Sequence, residues 1–336
     1  MADIKTVATI AGVSPSTVSN VFSKKKFVSE EAKQRVLRVC KELNYMPSVM
    51  ASSIITKSTN IIGFFDVQGQ GYSDVYSDMI KGITRKAAEL GKGVLLNIGL
   101  KDPDELNSVL RAGCQPVDGA ILPLPLERDL RIENLSFKAV PHVLIGSPYR
   151  KYEKTSSVDV DNTLLSYKLT NHLINLGHKR IAMINYKSGY TVTDDRQKGY
   201  ELALKEAGIH VSKELVFHTG IKEQDGFDCI EALFAKRIEF SAAIVSMPEA
   251  AEGVYKAIEK NEKKVGEDIS VAAFSSDKGM HNPLLTAVDT DYVRVGTEAM
   301  EILQELIENK SEKPIRRILE SEIIFTQSCQ RYKGRL

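Results

Sequence analysis

Apolar residues at Ile4, Val7, Ala8, Ile10 and Ala11 recur at helical spacing and stop at Gly12, which predicts a short first helix ended by a residue free to take positive φ. Ser14 and Pro15 then read as an N-cap followed by proline at the first helical position. Val18 and Val21, three apart, give this second helix a buried side, and Ser16, Thr17 and Asn20 are left facing outward. Ser29-Glu30-Glu31 caps a third helix, whose inward stripe is Ala32, Val36, Val39, Cys40 and Leu43. The pattern predicts three helices around one small core, with a tight turn between the first two as in helix-turn-helix units.

After Tyr45 the run from Met46-Pro47 to Thr56 is proline-led and rich in apolar and small residues, enough for one or two helical turns. A helix that short is marginal in water without a partner, so it is expected to order on docking. Met50, Ile54 and Ile55 are apolar for a linker, and packing on the next domain is one account of them. The reading divides the chain into a head over 1–46, a hinge over 47–59 and a body over 60–336.

From Asn60 onward short β-rich runs alternate with amphipathic stretches. Strands are expected at Ile61–Phe65, Val94–Ile98, Gly119–Leu122, His142–Ile145, Ile181–Ile184, Ala242–Val245 and Val271–Phe274, with a helix from about Tyr76 to Leu90. This is α/β patterning with a parallel sheet, and so many strands imply two doubly wound halves. Ligands of such sheets lie beyond the carboxyl ends of the strands. The candidate loops are therefore Asp66–Tyr76, Ser147–Tyr149, Asp161-Asn162, Lys187–Arg196, Ser246–Pro248 and Ser275–Asp277.

Charge sharpens the division. The net charge is +1, yet residues 1–60 hold nine Lys/Arg against four Asp/Glu and the remainder holds 36 against 40. A basic head on a mildly acidic body suits nucleic-acid binding by the head alone, and Ser23-Lys24-Lys25-Lys26 sits where a phosphate-neutralising turn would lie. Four scattered cysteines, Cys40, Cys114, Cys229 and Cys329, indicate neither a zinc site nor a disulfide framework. No signal-peptide core or run of about eighteen apolar residues is present, so a cytoplasmic protein is expected.

The strings IKTVATIAGVSPSTVSNVFSKKKFVSEEAKQRV, ELNYMPSVMASSI and TNIIGFF, with matches continuing to Gln327-Ser328, resemble the LacI/GalR family of bacterial transcription regulators over nearly the whole chain. The resemblance implies an all-α helix-turn-helix head plus a periplasmic-binding-protein type I core of two doubly wound parallel-sheet subdomains. It implies that the second helix enters the major groove with Ser14, Ser16, Thr17 and Asn20, while Ser19 and Tyr45 contact phosphates and Lys26 stands where some members carry a base-contacting arginine. The hinge would fold in the minor groove with Ala51 and the apolar wedge Ile54. Asn20 replaces a frequent arginine, which moves the expected half-site preference toward adenine, and Ser52 replaces another in the hinge.

For the body, the resemblance makes Arg196, within DDRQKGY, the principal effector contact; an ion pair with Asp194 or Asp195 is the alternative use of that side chain. Tyr76 matches a ring that stacks on ligand, and Ser73, Ser147, Asp161 and Ser246 complete the expected site. Pro248 and Ser275 stand where sugar-responsive members carry aspartates. That loss suggests a sugar derivative with negative charge, such as a sugar acid or sugar phosphate.

The expected function is a dimeric repressor of a palindromic operator, controlled by a small sugar or sugar derivative between the halves, with no cofactor, metal or membrane partner. No leucine heptad follows Gln330, which favours a homodimer over a coiled-coil tetramer. An enzyme would need a catalytic constellation, and neither HExxH nor GxSxG occurs. GQGYSD resembles the start of a dinucleotide fingerprint but has Asp74 at the third glycine. A solute-binding protein is the alternative, with the basic head against it.

Overall fold

The computed structural model describes residues 3–23, 26–45, 58–67, 74–99, 117–274, 284–311 and 313–334. Most of the expected hinge, with Ala51 and Ile54, and also Lys24, Lys25, Ser73 and Ser275, lie outside the described residues. The chain forms two compact units, a head that runs to Asn60 and a body that begins at Ile61.

The head has the three predicted helices, α1 Ile4–Ala11, α2 Pro15–Ser23 and α3 Glu30–Glu42. Asp3 caps α1 by accepting from the Thr6 N–H at 2.8 Å, and Gly12 ends it at φ 64°. Ser14 Oγ accepts from the Thr17 N–H at 3.1 Å, and Ser29 Oγ from the Ala32 N–H at 3.3 Å. Val7, Ala8, Ala11, Val18, Val21, Val36, Val39 and Cys40 form the core, so the three apolar stripes meet.

The body holds two six-stranded sheets. In the first, β1 Ile61–Phe65, β2 Gly93–Asn97, β3 Gly119–Pro123, β4 His142–Ile145, β5 Ser156–Val160 and β11 Arg316–Leu319 run parallel in the order β11-β5-β4-β3-β1-β2. In the second, β6 Ile181–Tyr186, β7 Val216–Thr219, β8 Ala242–Val245, β9 Ser270–Ala273, β10 Thr286–Asp289 and β12 Glu322–Ile324 take the order β12-β10-β9-β8-β6-β7, with only β12 antiparallel. The strand order reverses beside β1 and beside β6, the switch points where doubly wound sheets open a crevice.

Helices α4 Asp74–Glu89, α5 Leu130–Phe137 and α10 Tyr292–Ile307 belong to the first subdomain. α6 Asn162–Asn175, α7 Thr191–Glu206, α8 Glu223–Ala235 and α9 Pro248–Lys260 belong to the second. The chain therefore passes between subdomains three times, at Val160–Asn162, Asp289–Tyr292 and Leu319–Glu322. Thr290 and Ser321 hydroxyls, 2.9 Å apart, join the last two crossings. No helix among the described residues is long and apolar enough to cross a membrane.

The strands read from the sequence are present within one or two residues; β5, β7, β10, β11 and β12 were not anticipated. All five residues of β5, Ser156-Ser157-Val158-Asp159-Val160, are buried despite three polar side chains. Its polar groups find internal partners, as when Ser156 Oγ accepts from the Ile315 N–H at 2.9 Å, so hydropathy alone conceals the strand.

Paired helices meet at glycines. A Cβ on Gly296 of α10 would stand 2.1 Å from the Met79 carbonyl oxygen of α4, and one on Gly82 of α4 would stand 2.0 Å from Val293 O. Gly296→Ala must therefore push the two helices apart. It is expected to destabilise the body by about 1–3 kcal/mol, read as a lower Tm in thermal unfolding of the full chain.

Candidate functional site

Two surfaces carry the candidate chemistry. On the head, Ser16 is exposed and Thr17, Ser19 and Asn20 are partly exposed along α2, forming a face of small hydrogen-bonding groups. Ser14 Oγ lies 2.6 Å from Ser16 Oγ and 2.9 Å from Thr17 Oγ1, which orders this face. Lys26 is exposed, and Phe27 beside it is 95% exposed, an apolar ring that the charge pattern did not single out. Tyr45 packs against the head core, with its N–H on Cys40 O at 2.8 Å.

On the body, the carboxyl ends of both sheets face one cleft of about 1120 Å³, counted to its open mouth. From the first subdomain come Asp66, Tyr76, Pro123, Leu124, Pro125, Ile145 and Asp159. The second supplies Tyr186, Thr191, Arg196, Ser246, Pro248, Glu249 and Phe274, and α10 adds Tyr292. Four aromatic rings and several aliphatic side chains make most of the wall apolar.

Arg196, on α7 and 8% exposed, is held at the centre. Its Nε donates to Asn162 Oδ1 at 3.0 Å and Nη1 to Ser246 O at 2.9 Å, while the guanidinium lies 4.1 Å from the Phe274 ring centroid. Tyr292 also faces it. Burial lowers its pKa, though a guanidinium stays charged in proteins. No ion pair with Asp194 or Asp195 holds it among the described residues, and Asp194 instead accepts from the Tyr149 hydroxyl at 2.7 Å.

Asp159 is buried beside this group. Its Oδ2 accepts from Ser147 Oγ at 2.8 Å, and its Oδ1 from the Val160 N–H at 2.8 Å and Asn162 Nδ2 at 3.1 Å. Burial raises its pKa to about 6 against the pull of these donors. The Tyr76 hydroxyl donates to Asp66 Oδ1 at 2.9 Å; burial, then the Asp66 charge, push the phenol pKa well above its ordinary value. Thr191 lines the cleft, and its hydroxyl is buried with no hydrogen-bond partner among the described residues.

Arg131 supports the floor. It pairs with Asp129 through Nε to Oδ1 at 2.9 Å and Nη2 to Oδ2 at 2.6 Å, and also donates to Phe65 O, Pro123 O and Leu124 O. These carbonyls close the ends of β1 and β3, next to Asp66 and Pro125. At the rim, Glu127 N–H donates to Gly189 O at 3.0 Å and Thr191 N–H to Pro125 O at 3.2 Å, so backbone joins the two subdomains there.

Of the residues expected from the sequence, Tyr76, Arg196, Ser246 and Pro248 line the cleft, and Ser147 stands behind it on Asp159. Asp161 is turned outward as the N-cap of α6, accepting from the Leu164 N–H at 2.8 Å, and is not part of the lining. Its neighbours Asp159 and Asn162 take that place. The count of lost carboxylates at Pro248 and Ser275 also missed Asp159 and Glu249, which face the cleft with Asp66. Their positions follow from strand parity and a helix start, and only the pairing of β5 makes them visible.

Comparison with known proteins gives matches along the chain. The profile of bacterial regulatory proteins of the lacI family matches residues 3–48, and that of a periplasmic binding protein-like domain matches residues 170–329. The HTH-type transcriptional regulator MalR of Streptococcus pneumoniae is 31% identical over 329 residues, 96% of this chain and 98% of MalR. The solved complex of transcriptional regulator CelR with cellobiose aligns at 25% identity and TM-score 0.76 over 98% of this chain and 100% of that one. A lac repressor dimer bound to operator and the anti-inducer ONPF shares the fold at TM-score 0.86 and 22% identity, over 98% and 99% of the two chains.

The buried Asp129–Arg131 pair yields a stability prediction. Asp129→Ala strands a buried cation and is expected to cost about 3–5 kcal/mol, measured as a lower urea midpoint for unfolding of the full chain.

Proposed function

Given that the chain belongs to the lacI family of bacterial regulatory proteins, and is a DNA-binding transcription regulator and not an enzyme, we propose that it is a cytoplasmic repressor answering to a neutral, hydroxyl-rich effector of the saccharide class. It binds a palindromic operator as a homodimer, because one head reads only half of such a site. The hinge over 47–59, with Ala51 and Ile54 at the minor groove, is the element the effector orders or melts.

The charge of the cleft carries the effector class. One guanidinium, Arg196, stands among three carboxylates, Asp66, Asp159 and Glu249. An anionic ligand would add a fourth negative charge at low dielectric, a costly burial. Hydroxyl groups suit the lining better, since they donate to carboxylates and accept from Arg196. The rings of Tyr76, Tyr186 and Tyr292 line the cleft beside Phe274, whose face holds the Arg196 guanidinium, and make an apolar wall for the C–H side of a sugar ring. Cellobiose in the complex of CelR supports the same class. The anionic effector expected from Pro248 and Ser275 gives way to this reading.

Calorimetric titration with neutral mono- and disaccharides, sugar acids and sugar phosphates is expected to give binding with a neutral sugar; binding confined to the acids would overturn the effector class. On the DNA side, selection from random duplexes is expected to enrich a palindrome with adenine opposite Asn20. Asn20→Ala should weaken binding to that sequence by about 1–3 kcal/mol and leave affinity for random DNA unchanged, checked by anisotropy at fixed salt.

A further inference from the structure

The helix that carries Arg196 is capped by the other subdomain. Tyr190, at the N-cap of α7, makes no side-chain cap bond among the described residues, and the Thr191 N–H donates to the Pro125 carbonyl of the first subdomain at 3.2 Å. Glu127 N–H donates in return to Gly189 O at 3.0 Å, so Leu126 and Tyr190 stand opposite one another in an antiparallel bridge between the subdomains. A third tie comes from Tyr149, just past β4, whose hydroxyl donates to Asp194 Oδ2 in the first turn of α7 at 2.7 Å. Burial, then this bond, raise the phenol pKa, which keeps the hydroxyl a donor.

Both sides are stiff before they meet. In the first subdomain Arg131 holds the Pro123 and Leu124 carbonyls, and Asp129 Oδ2 accepts from the Leu126 N–H at 3.3 Å. Pro125 packs so close to Gly146 that a Cβ there would stand 2.6 Å from its ring. In the second subdomain the Tyr190 ring lies 5.0 Å from that of Tyr186, and Asn185 Nδ2 donates to Thr193 O at 2.9 Å. Little conformational freedom is lost when such sides join. Every donor and acceptor in the three ties belongs to the chain, so no ligand group is needed to complete them. Pro125 and Thr191 also line the cleft, while the tied residues lie away from the three crossings that connect the subdomains. The ties can therefore part while the crossings serve as the pivot.

We propose that residues 125–127 and Tyr149 on one side and residues 189–194 on the other form a latch across the cleft, closed by the protein's own groups, and that effector exchange waits on its opening. Tyr149 is a positioning residue in this device: it acts through α7 and sets how often the latch parts. The control of effector exchange rests on the reading of the cleft as the effector site. The latch itself does not.

Hydrogen exchange in the full chain, read by mass spectrometry with no sugar added, tests the latch. Peptides bearing the Glu127 and Thr191 amides are expected to exchange slowly in the wild type and about tenfold faster in Tyr149→Phe, the scale of one hydrogen bond to a charged group, with the rest of the body unchanged. Wild-type exchange at the rate of free peptide, or an acceleration in Tyr149→Phe spread evenly over the body, would overturn the proposal.

A disulfide makes the opposite change. Leu126 and Tyr190 are the non-hydrogen-bonded pair between the two backbone bonds, and such pairs place Cα atoms about 4.5 Å apart, within disulfide reach. Leu126→Cys with Tyr190→Cys, in a Cys114→Ser background, is expected to crosslink on oxidation without added sugar. Cellobiose, followed by stopped-flow tyrosine fluorescence, is then expected to bind and leave at least about tenfold more slowly in the oxidised than in the reduced protein, and faster than wild type in Tyr149→Phe. Equal rates in the oxidised and reduced forms, or a crosslink that forms only with sugar present, would contradict the proposal. If cellobiose does not bind the reduced protein while Tyr149→Phe still speeds hydrogen exchange at the latch, the saccharide reading falls and the latch stands.

Discussion

A guanidinium taken out of water keeps its charge, and its donors must be met where it stands. The body meets those of Arg196 from several elements at once. Asn162 comes from the start of α6, the Ser246 carbonyl from just past β8, and the Phe274 ring from just past β9. Each is placed by a strand end, at the carboxyl edge where the crevice opens. Arg131 shows the alternative arrangement. It has Asp129 as a bidentate partner and three backbone carbonyls besides, which makes it a finished piece of scaffold. Arg196 has a neutral amide, a carbonyl and a ring, and so retains charge to offer a ligand.

The same constraint connects the cleft to the rest of the body. Asn162 sits on one of three crossings between the subdomains, and the other two are tied by Thr290 and Ser321. Under the proposed reading, a ligand that redirects Arg196 acts on the first crossing through Asn162. The helices behind the sheets transmit such a change as rigid bodies, since α4 and α10 touch backbone to backbone at Gly82 and Gly296, with no side chain between to absorb a shift. Under the proposed reading, coupling of cleft to head is a matter of which subdomain angle each ligand prefers.

Local rules made the head readable. Helical spacing of Val7, Ala8 and Ala11, the stop at Gly12 and the cap at Ser14 each act within a few residues, and the structure repeats them. The body was legible where strands are plain apolar runs, as in Ala242–Val245, and illegible where polar residues are buried with partners far along the chain. β5 is the clearest case. Ser156 meets Ile315, Asp159 meets Ser147, and only those contacts reveal why a serine- and aspartate-bearing segment lies inside. Arg196 was found through family resemblance. Asn162 and Thr191 fell within the candidate loops at 161–162 and 187–196, whereas Asp159 and the Asp129–Arg131 pair carry no motif, and a shift of two residues along the chain separates outward Asp161 from inward Asp159.

We propose that a neutral ligand in the cleft changes DNA affinity through Arg196. The most direct test is operator affinity of the full chain by fluorescence anisotropy at one salt concentration, with and without the saccharide that binds, in the wild type and in Arg196→Met. The sugar is expected to shift wild-type affinity at least about fivefold and to leave Arg196→Met unmoved. No shift in the wild type, or an equal shift in both proteins, would contradict it.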